Sequence, residues 1–210
     1  AVLKPLKVVI ENFPEGKIEW LPALNNPNSD KQEQREIPFS REIWIEEDDF
    51  MEEPSKKFFR LAPGKEVRLR YAFFVTCNAV IKDEDGEIVE LRCSYDPETR
   101  GGNAPDGRKV KGTIHWVSVE HAKDAEVRIY NSFYNTPSPG RERDFIEDIN
   151  PNSLEVLENC KIEPDLITLD DNVPIQFERL GYFYKDPDTT PEKHIYNRTI
   201  SLRDTWNKKL

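Results

Sequence analysis

The sequence has no long apolar run, a single methionine (Met51), three cysteines and three histidines in 210 residues. Each scarcity removes a class of protein. No stretch approaches the ~20 consecutive apolar residues of a membrane helix, and the first residues lack the layout of a secretory signal. A cytoplasmic protein without a membrane partner is the expectation. Cys77, Cys93 and Cys160 are odd in number, widely spaced and without a CxxC pair, so they suggest neither a disulfide framework nor a zinc site. They read as buried thiols. His115 and His121 bracket Glu120 in HWVSVEH, but the spacing fits neither H-x-x-E-H nor H-E-x-x-H, and no metal is expected. No Ser/His/Asp or Cys/His set stands out as a nucleophile with its base, so no catalytic residue is assigned.

A phosphate-cradling loop is missing too. In TRGGNAPDGRKVKGTIHW, residues 99–116, Gly107 is followed by Arg108, Lys109, Val110 and Lys111 rather than by Lys and a hydroxyl residue. Gly112 to Val119 then carries β-formers instead of a helix start. The stretch reads as a solvated basic connection between strands, carrying Arg108, Lys109 and Lys111.

What is present points to a folded chain of many short elements. Charged residues make up 33% and there are 16 prolines, which disfavours long helices, while 10% aromatic residues supply the apolar surface that a disordered chain lacks. The start at Ala1, already inside an apolar pattern and without a methionine, is what a piece of a longer protein would show. The net charge of -10 would count against nucleic acid, but it is unevenly spread. Glu42 to Glu53 is densely acidic and expected to be a solvated face. Lys56 to Arg70 carries six cations against Glu66, a local basic footprint.

Period-two patterning marks strands at 6–12, 17–21, 42–46, 66–75, 78–82, 87–95, 109–119, 125–130, 174–179, 181–184 and 195–202. Asp85-Gly86 turns the clearest hairpin, and helical patches are brief, at 48–53 and 142–149. Many short strands with few helices imply β-barrels or sandwiches. Alternation across EVRLRYAFFV places Val67, Leu69, Tyr71, Phe73 and Val75 on one face and Arg68 with Arg70 on the other. In IQFER, Ile175, Phe177 and Arg179 share one side, and Gln176 with Glu178 the other. Such pairs are either ordinary solvent faces or readers of unpaired bases. Arg offers two parallel donors, Gln one donor and one acceptor, and Glu an acceptor for a ring N–H.

The strings PFSREIWIEEDDFMEE, FFRLAPGKEVRLR, SYDPETRGGNAPDGRKVKGTIHWVS, QFERLGYF and NRTISLRDTW, in this order, closely resemble the C-terminal anticodon-binding region of the glutaminyl-tRNA synthetases, a family of class I aminoacyl-tRNA synthetases. The resemblance covers essentially the whole chain. It implies an all-β fold of two β-barrels of the ribosomal protein L25-like type, related by duplication, with short helices in the connections. It also implies a first barrel over 1–110, a second over 111–182, and a return of 183–210 to the first. The partners implied are the anticodon stem-loop of glutamine tRNA and an N-terminal catalytic core, in a monomer. ATP and Mg²⁺ would belong to that core and no cofactor to this chain, which carries neither a HIGH-like nor a KMSKS-like sequence and is expected to be inactive alone.

Residue by residue, the resemblance places Pro27 and Asn28 near the anticodon loop, Arg60 at the third anticodon base and Arg70, beside Arg68, at the first. Gln176 and Glu178, with Arg179 following, match the pocket for a central uracil. Phe59 stands where some members have lysine, Leu180 where a charged residue is found, and an upstream arginine of that pocket would precede Ala1. The alternatives are the corresponding barrels of a eukaryotic- or archaeal-type glutamyl-tRNA synthetase, and a free-standing RNA-binding module.

Overall fold

The computed structural model describes residues 1–202, which are almost entirely β. They form two compact units, one of Ala1–Lys123 with Lys161–Leu166, the other of Asp124–Cys160 with the described residues from Ile167 onward.

The first unit contains β1 (Pro5–Ile10), β2 (Glu19–Leu24), β3 (Gln34–Phe39), β4 (Glu42–Glu46), β5 (Glu66–Leu69), β6 (Phe74–Lys82), β7 (Ile88–Asp96), β8 (Thr113–Ile114) and β9 (Trp116–Ser118). Seven of these form one sheet in the order β8-β5-β6-β7-β1-β4-β9, and β2 pairs with β3 as a separate ribbon. The two ends of the seven-stranded sheet are consecutive in the chain. Thr113 and Ile114 pair with Arg68 and Leu69 of β5, and after His115 the chain runs on so that Trp116 to Ser118 pair with β4. One extended segment of six residues therefore closes the barrel.

Alternation builds its core. Val8 and Ile10 of β1, Ile43 and Ile45 of β4, Val67 and Leu69 of β5, and Leu91 and Cys93 of β7 are all buried. An aromatic cluster fills the remainder: Phe39 meets Phe13 at 5.0 Å, Phe73 at 5.1 Å and Trp116 at 5.1 Å between ring centroids. Each fully buried large side chain contributes roughly 1.5–3 kcal/mol. The β6–β7 hairpin turns where expected: Asp83 Oδ1 accepts from the backbone N–H groups of Asp85 (3.0 Å) and Glu87 (2.9 Å), and Gly86 takes φ 86°.

The second unit contains β10 (Lys123–Tyr130, whose first residue belongs to the first unit), β11 (Leu154–Ile162, whose last two residues do), β12 (Ile175–Phe177), β13 (Gly181–Lys185) and β14 (His194–Ile200). The sheet order is β11-β10-β14-β13-β12, with β10 and β14 parallel. Phe177 stacks on Phe183 at 4.1 Å and lies 5.7 Å from Tyr196.

Three expectations need correcting. Residues 183–200 do not rejoin the first barrel: β14 is inserted between β10 and β13, with Ile195 and Tyr196 buried there. Residues 203–210 of that expected return lie outside the described ones. The segment that does return is Lys161–Leu166, held by reciprocal backbone bonds between Val2 and Lys161 (both 2.8 Å) and by Arg35 bonded twice to Glu163, at 2.6 and 3.0 Å. The helical patches shrink to single 3-10 turns at Glu47–Asp49 and Phe145–Asp148, because neither is followed by an apolar face long enough to propagate a helix. The acidic run is not wholly solvated. Glu46 accepts backbone N–H groups from Leu3 and Lys4, burial pushes its carboxyl above the usual range, and Asp49 is 1% exposed.

Candidate nucleic-acid interface

In the first unit, the continuous strand expected over 66–75 is broken. β5 ends at Leu69, and the Leu69 carbonyl accepts from Ala72 N at 3.0 Å, closing a turn over Arg70 and Tyr71. Tyr71 takes φ 61°, at the position where such turns normally carry glycine. For a bulky side chain this costs on the order of 1–3 kcal/mol. Apolar alternation runs on through the turn, so the sequence concealed it; Ala72 and Phe74 are buried along with Phe73 and Val75.

Arg68 and Arg70 consequently have different surroundings. The Arg68 guanidinium carbon lies 5.4 Å from the Phe74 ring, and a Cβ on Gly102 would come within 2.9 Å of the Arg68 Cδ, so the glycine-rich loop packs on its stem. Arg70 has its guanidinium carbon 4.9 Å from the Tyr71 ring, and its carbonyl accepts from Trp116 Nε1 at 2.9 Å. Tyr71 also lines a hollow of about 230 Å³ with Leu21, Pro22, Arg100 and Gly101.

Residues 99–112 act as a clasp rather than a phosphate loop. Thr99 Oγ1 accepts from Phe74 N at 2.8 Å. Arg108 is taken up by carboxylates: it bonds Glu66 through two nitrogens, each at 3.0 Å, Asp106 at 2.7 Å, and Asp96. These bonds raise the Arg108 pKa, and its guanidinium holds the Asp96 carboxyl below the ordinary range. Lys111 Nζ lies 5.0 Å from the Phe59 ring. Gly112 is packed so closely that a Cβ would meet the Phe59 carbonyl oxygen at 1.9 Å, while its own carbonyl accepts from Arg68 N at 2.9 Å. The loop thus ties the segment before Arg60 to the start of the Arg68–Arg70 run.

Arg60 is held by the acidic run. Its Nη1 lies 3.3 Å from the buried Asp49 carboxylate and donates to the Asp48 carbonyl at 2.8 Å. Pro27 and Asn28 are exposed in the loop between β2 and β3, where Asn28 N donates to Asn26 Oδ1 at 3.0 Å. Arg35 braces the base of that loop by donating to the Leu24 carbonyl and to Asn25 Oδ1, both at 3.2 Å. Burial works against its charge, but Glu163 outweighs that and the pKa is raised, with Tyr71 close enough to add to the effect.

The second unit repeats the turn. β12 ends at Phe177, whose carbonyl accepts from Leu180 N at 2.9 Å, and Arg179 takes φ 65°. The expected alternation through Arg179 therefore stops at Phe177. Glu178 occupies the position that Arg70 has in the first unit, behind a fully buried anchor in both: Leu69 there, Phe177 here. Gln176 is exposed and pairs across the ladder with exposed Tyr182.

Asp49, Tyr71 and Tyr182 were not singled out from the sequence. Tyr182 had a signal, since Tyr182 and Tyr184 alternate with buried Phe183 and so share an exposed face. Asp49 and Tyr71 had none, because one depends on a long-range pairing and the other on a turn without glycine. Among the described residues no group of three His, Cys, Asp or Glu side chains is arranged to hold a metal, and all three cysteines are buried free thiols.

Comparison with known proteins matches residues 1–96 and 113–186 to two models, each described as "tRNA synthetases class I (E and Q), anti-codon binding domain". A glutamine–tRNA ligase of Bradyrhizobium diazoefficiens is 59% identical over 210 residues, which is 100% of this chain and 38% of that protein. One of Aliivibrio salmonicida is 52% identical over 98% of the chain and 37% of its own length, and one of Rhodopirellula baltica 49% identical over 99% and 35%. The chain spans little more than a third of these curated relatives. With two models of one description matched in order along the chain, and 49–59% of the residues identical to those of such relatives, the chain belongs to the anticodon-binding domains of the class I tRNA synthetases of the E and Q group.

Proposed function

We propose that the chain reads the anticodon of glutamine tRNA for a glutamine–tRNA ligase whose catalytic core, using ATP and Mg²⁺, lies outside these residues. The observation that carries this is the repeated turn. Each unit offers a polar side chain, Arg70 or Glu178, from the second position of a turn anchored by a buried residue. Recognition of unpaired bases needs side chains held before the RNA arrives, because every rotamer frozen on binding subtracts from affinity.

Arg70 would donate to acceptors of the first anticodon base, and Arg60, braced by Asp49, to the third. Glu178 would accept the ring N–H of a central uracil while Gln176 bonds a flanking carbonyl, with Arg179 beside them. Pro27 and Asn28 would meet the anticodon loop, and Arg68 would support Arg70 from beneath the clasp. The protein would work as a cytoplasmic monomer; no helix among the described residues is long and apolar enough to cross a membrane.

Affinity of the full-length protein for glutamine tRNA and for single-base anticodon variants tests this. Selectivity at all three positions is expected, and equal affinity for every anticodon would overturn the reading. The matching models also cover the glutamate group, so glutamate tRNA belongs in the panel. Preference for it would reassign the substrate without changing the interface.

A further inference from the structure

We propose that Tyr71 is a positioning residue: its ring fixes the Arg70 guanidinium, and its left-handed backbone is retained because it delivers that ring. The inference rests on the reading that Arg70 meets the first anticodon base. Among the described residues, left-handed φ values fall on glycines, except at Tyr71 and Arg179. Glycine would adopt either conformation without the steric penalty, so a large side chain at these two turns must return something for the strain. Both exceptions immediately follow a candidate base-reading residue.

At Tyr71 the return is visible. The Arg70 guanidinium carbon lies 4.9 Å from the ring centroid, a cation–π contact. A guanidinium over an aromatic face keeps its N–H groups in its own plane, which sets the direction in which they can donate. The backbone is held as well, since Trp116 Nε1 bonds the Arg70 carbonyl at 2.9 Å and Ala72 N closes the turn. The ring adds a restraint on the side chain to those on the backbone.

The test uses the full-length protein with Tyr71→Gly, Tyr71→Phe and Arg70→Ala, reading affinity for tRNAs changed singly at each anticodon position, at two salt concentrations, alongside thermal unfolding. Tyr71→Gly should lower first-base discrimination about tenfold. Unfolding temperature should not fall, because glycine relieves the left-handed strain as the ring's packing is lost, and central- and third-base discrimination and the salt dependence should stay as in the parent. A ring that only packs would instead lower stability and weaken all positions together, and that result overturns the proposal. Tyr71→Phe should retain discrimination within about twofold; loss equal to that of the glycine variant would also overturn it, by assigning the effect to the hydroxyl. Should Tyr71→Gly fold poorly, Tyr71→Asn, which tolerates the same φ, carries the same expectation. If Arg70→Ala loses first-base discrimination and Tyr71→Gly keeps it, the positioning role fails and the anticodon reading stands. If Arg70→Ala keeps it, the anticodon assignment of Arg70 fails.

Discussion

The two units use one backbone device with opposite chemistry. In the first, a buried leucine leads into a turn that carries an arginine and then a tyrosine; in the second, a buried phenylalanine leads into a turn that carries a glutamate and then an arginine. The turn fixes where a side chain starts, and the side chain alone decides what it can bond. One kind of turn can therefore carry different specificities through single substitutions at its second position. Their supports differ as well. Interlocking aromatic rings fill the first unit, whereas the second has a smaller aromatic stack and, towards its surface, a network in which Arg128 meets Glu126 at 2.7 Å, Asp186 at 3.2 Å and Asp188 at 3.0 Å.

Four measurements break or sharpen this comparison. The largest effect is expected for Gly112→Ala, where backbone must yield to a new methyl group; the first unit should lose about 3 kcal/mol in denaturant unfolding while the second is unaffected. Next, Arg70→Ala and Glu178→Ala should each remove about 2 kcal/mol of discrimination, at the first and the central anticodon base respectively. Loss at the same base from both variants would contradict the division of labour.

A smaller effect, about 1 kcal/mol, is expected for Asp186→Asn, confined to the second unit. Burial disfavours the Asp186 carboxylate, yet the Asp188 N–H, the Asn197 amide and Arg128 outweigh it and hold its pKa below the ordinary value of an aspartate. A depressed carboxyl stabilises the fold above that value, and the contribution is lost as pH falls through the folded-state pKa. Parent and variant should therefore converge in stability in strong acid; a constant gap would rule out the ionic contribution. The smallest effect belongs to exposed Lys109, whose change to alanine should weaken all tRNAs alike by about 0.5 kcal/mol and slightly flatten the salt dependence.

Much of this was legible beforehand. Strands 42–46 and 125–130, and the Asp85-Gly86 hairpin, follow from alternation and turn chemistry. β3 and β11 were not read: in β11 Leu154, Val156, Cys160 and Ile162 share one side, but Glu158 interrupts it and Leu154 and Val156 stay exposed. The basic segment 56–70 was legible as a cluster of charge, but the turns after Leu69 and Phe177 were hidden, because local rules expect glycine or asparagine where Tyr71 and Arg179 stand. Equally invisible was the fate of Arg108, whose carboxylate partners Glu66 and Asp96 come from other strands.

The closing segment, Thr113 to Ser118, has a consequence for the order of events during synthesis. Until it emerges, β4 and β5 each present a row of unsatisfied backbone groups, the kind of edge that recruits strands from other chains. Six residues cap both rows at once, so a chain interrupted just before Thr113 should be far more prone to self-association than one interrupted just after Ser118.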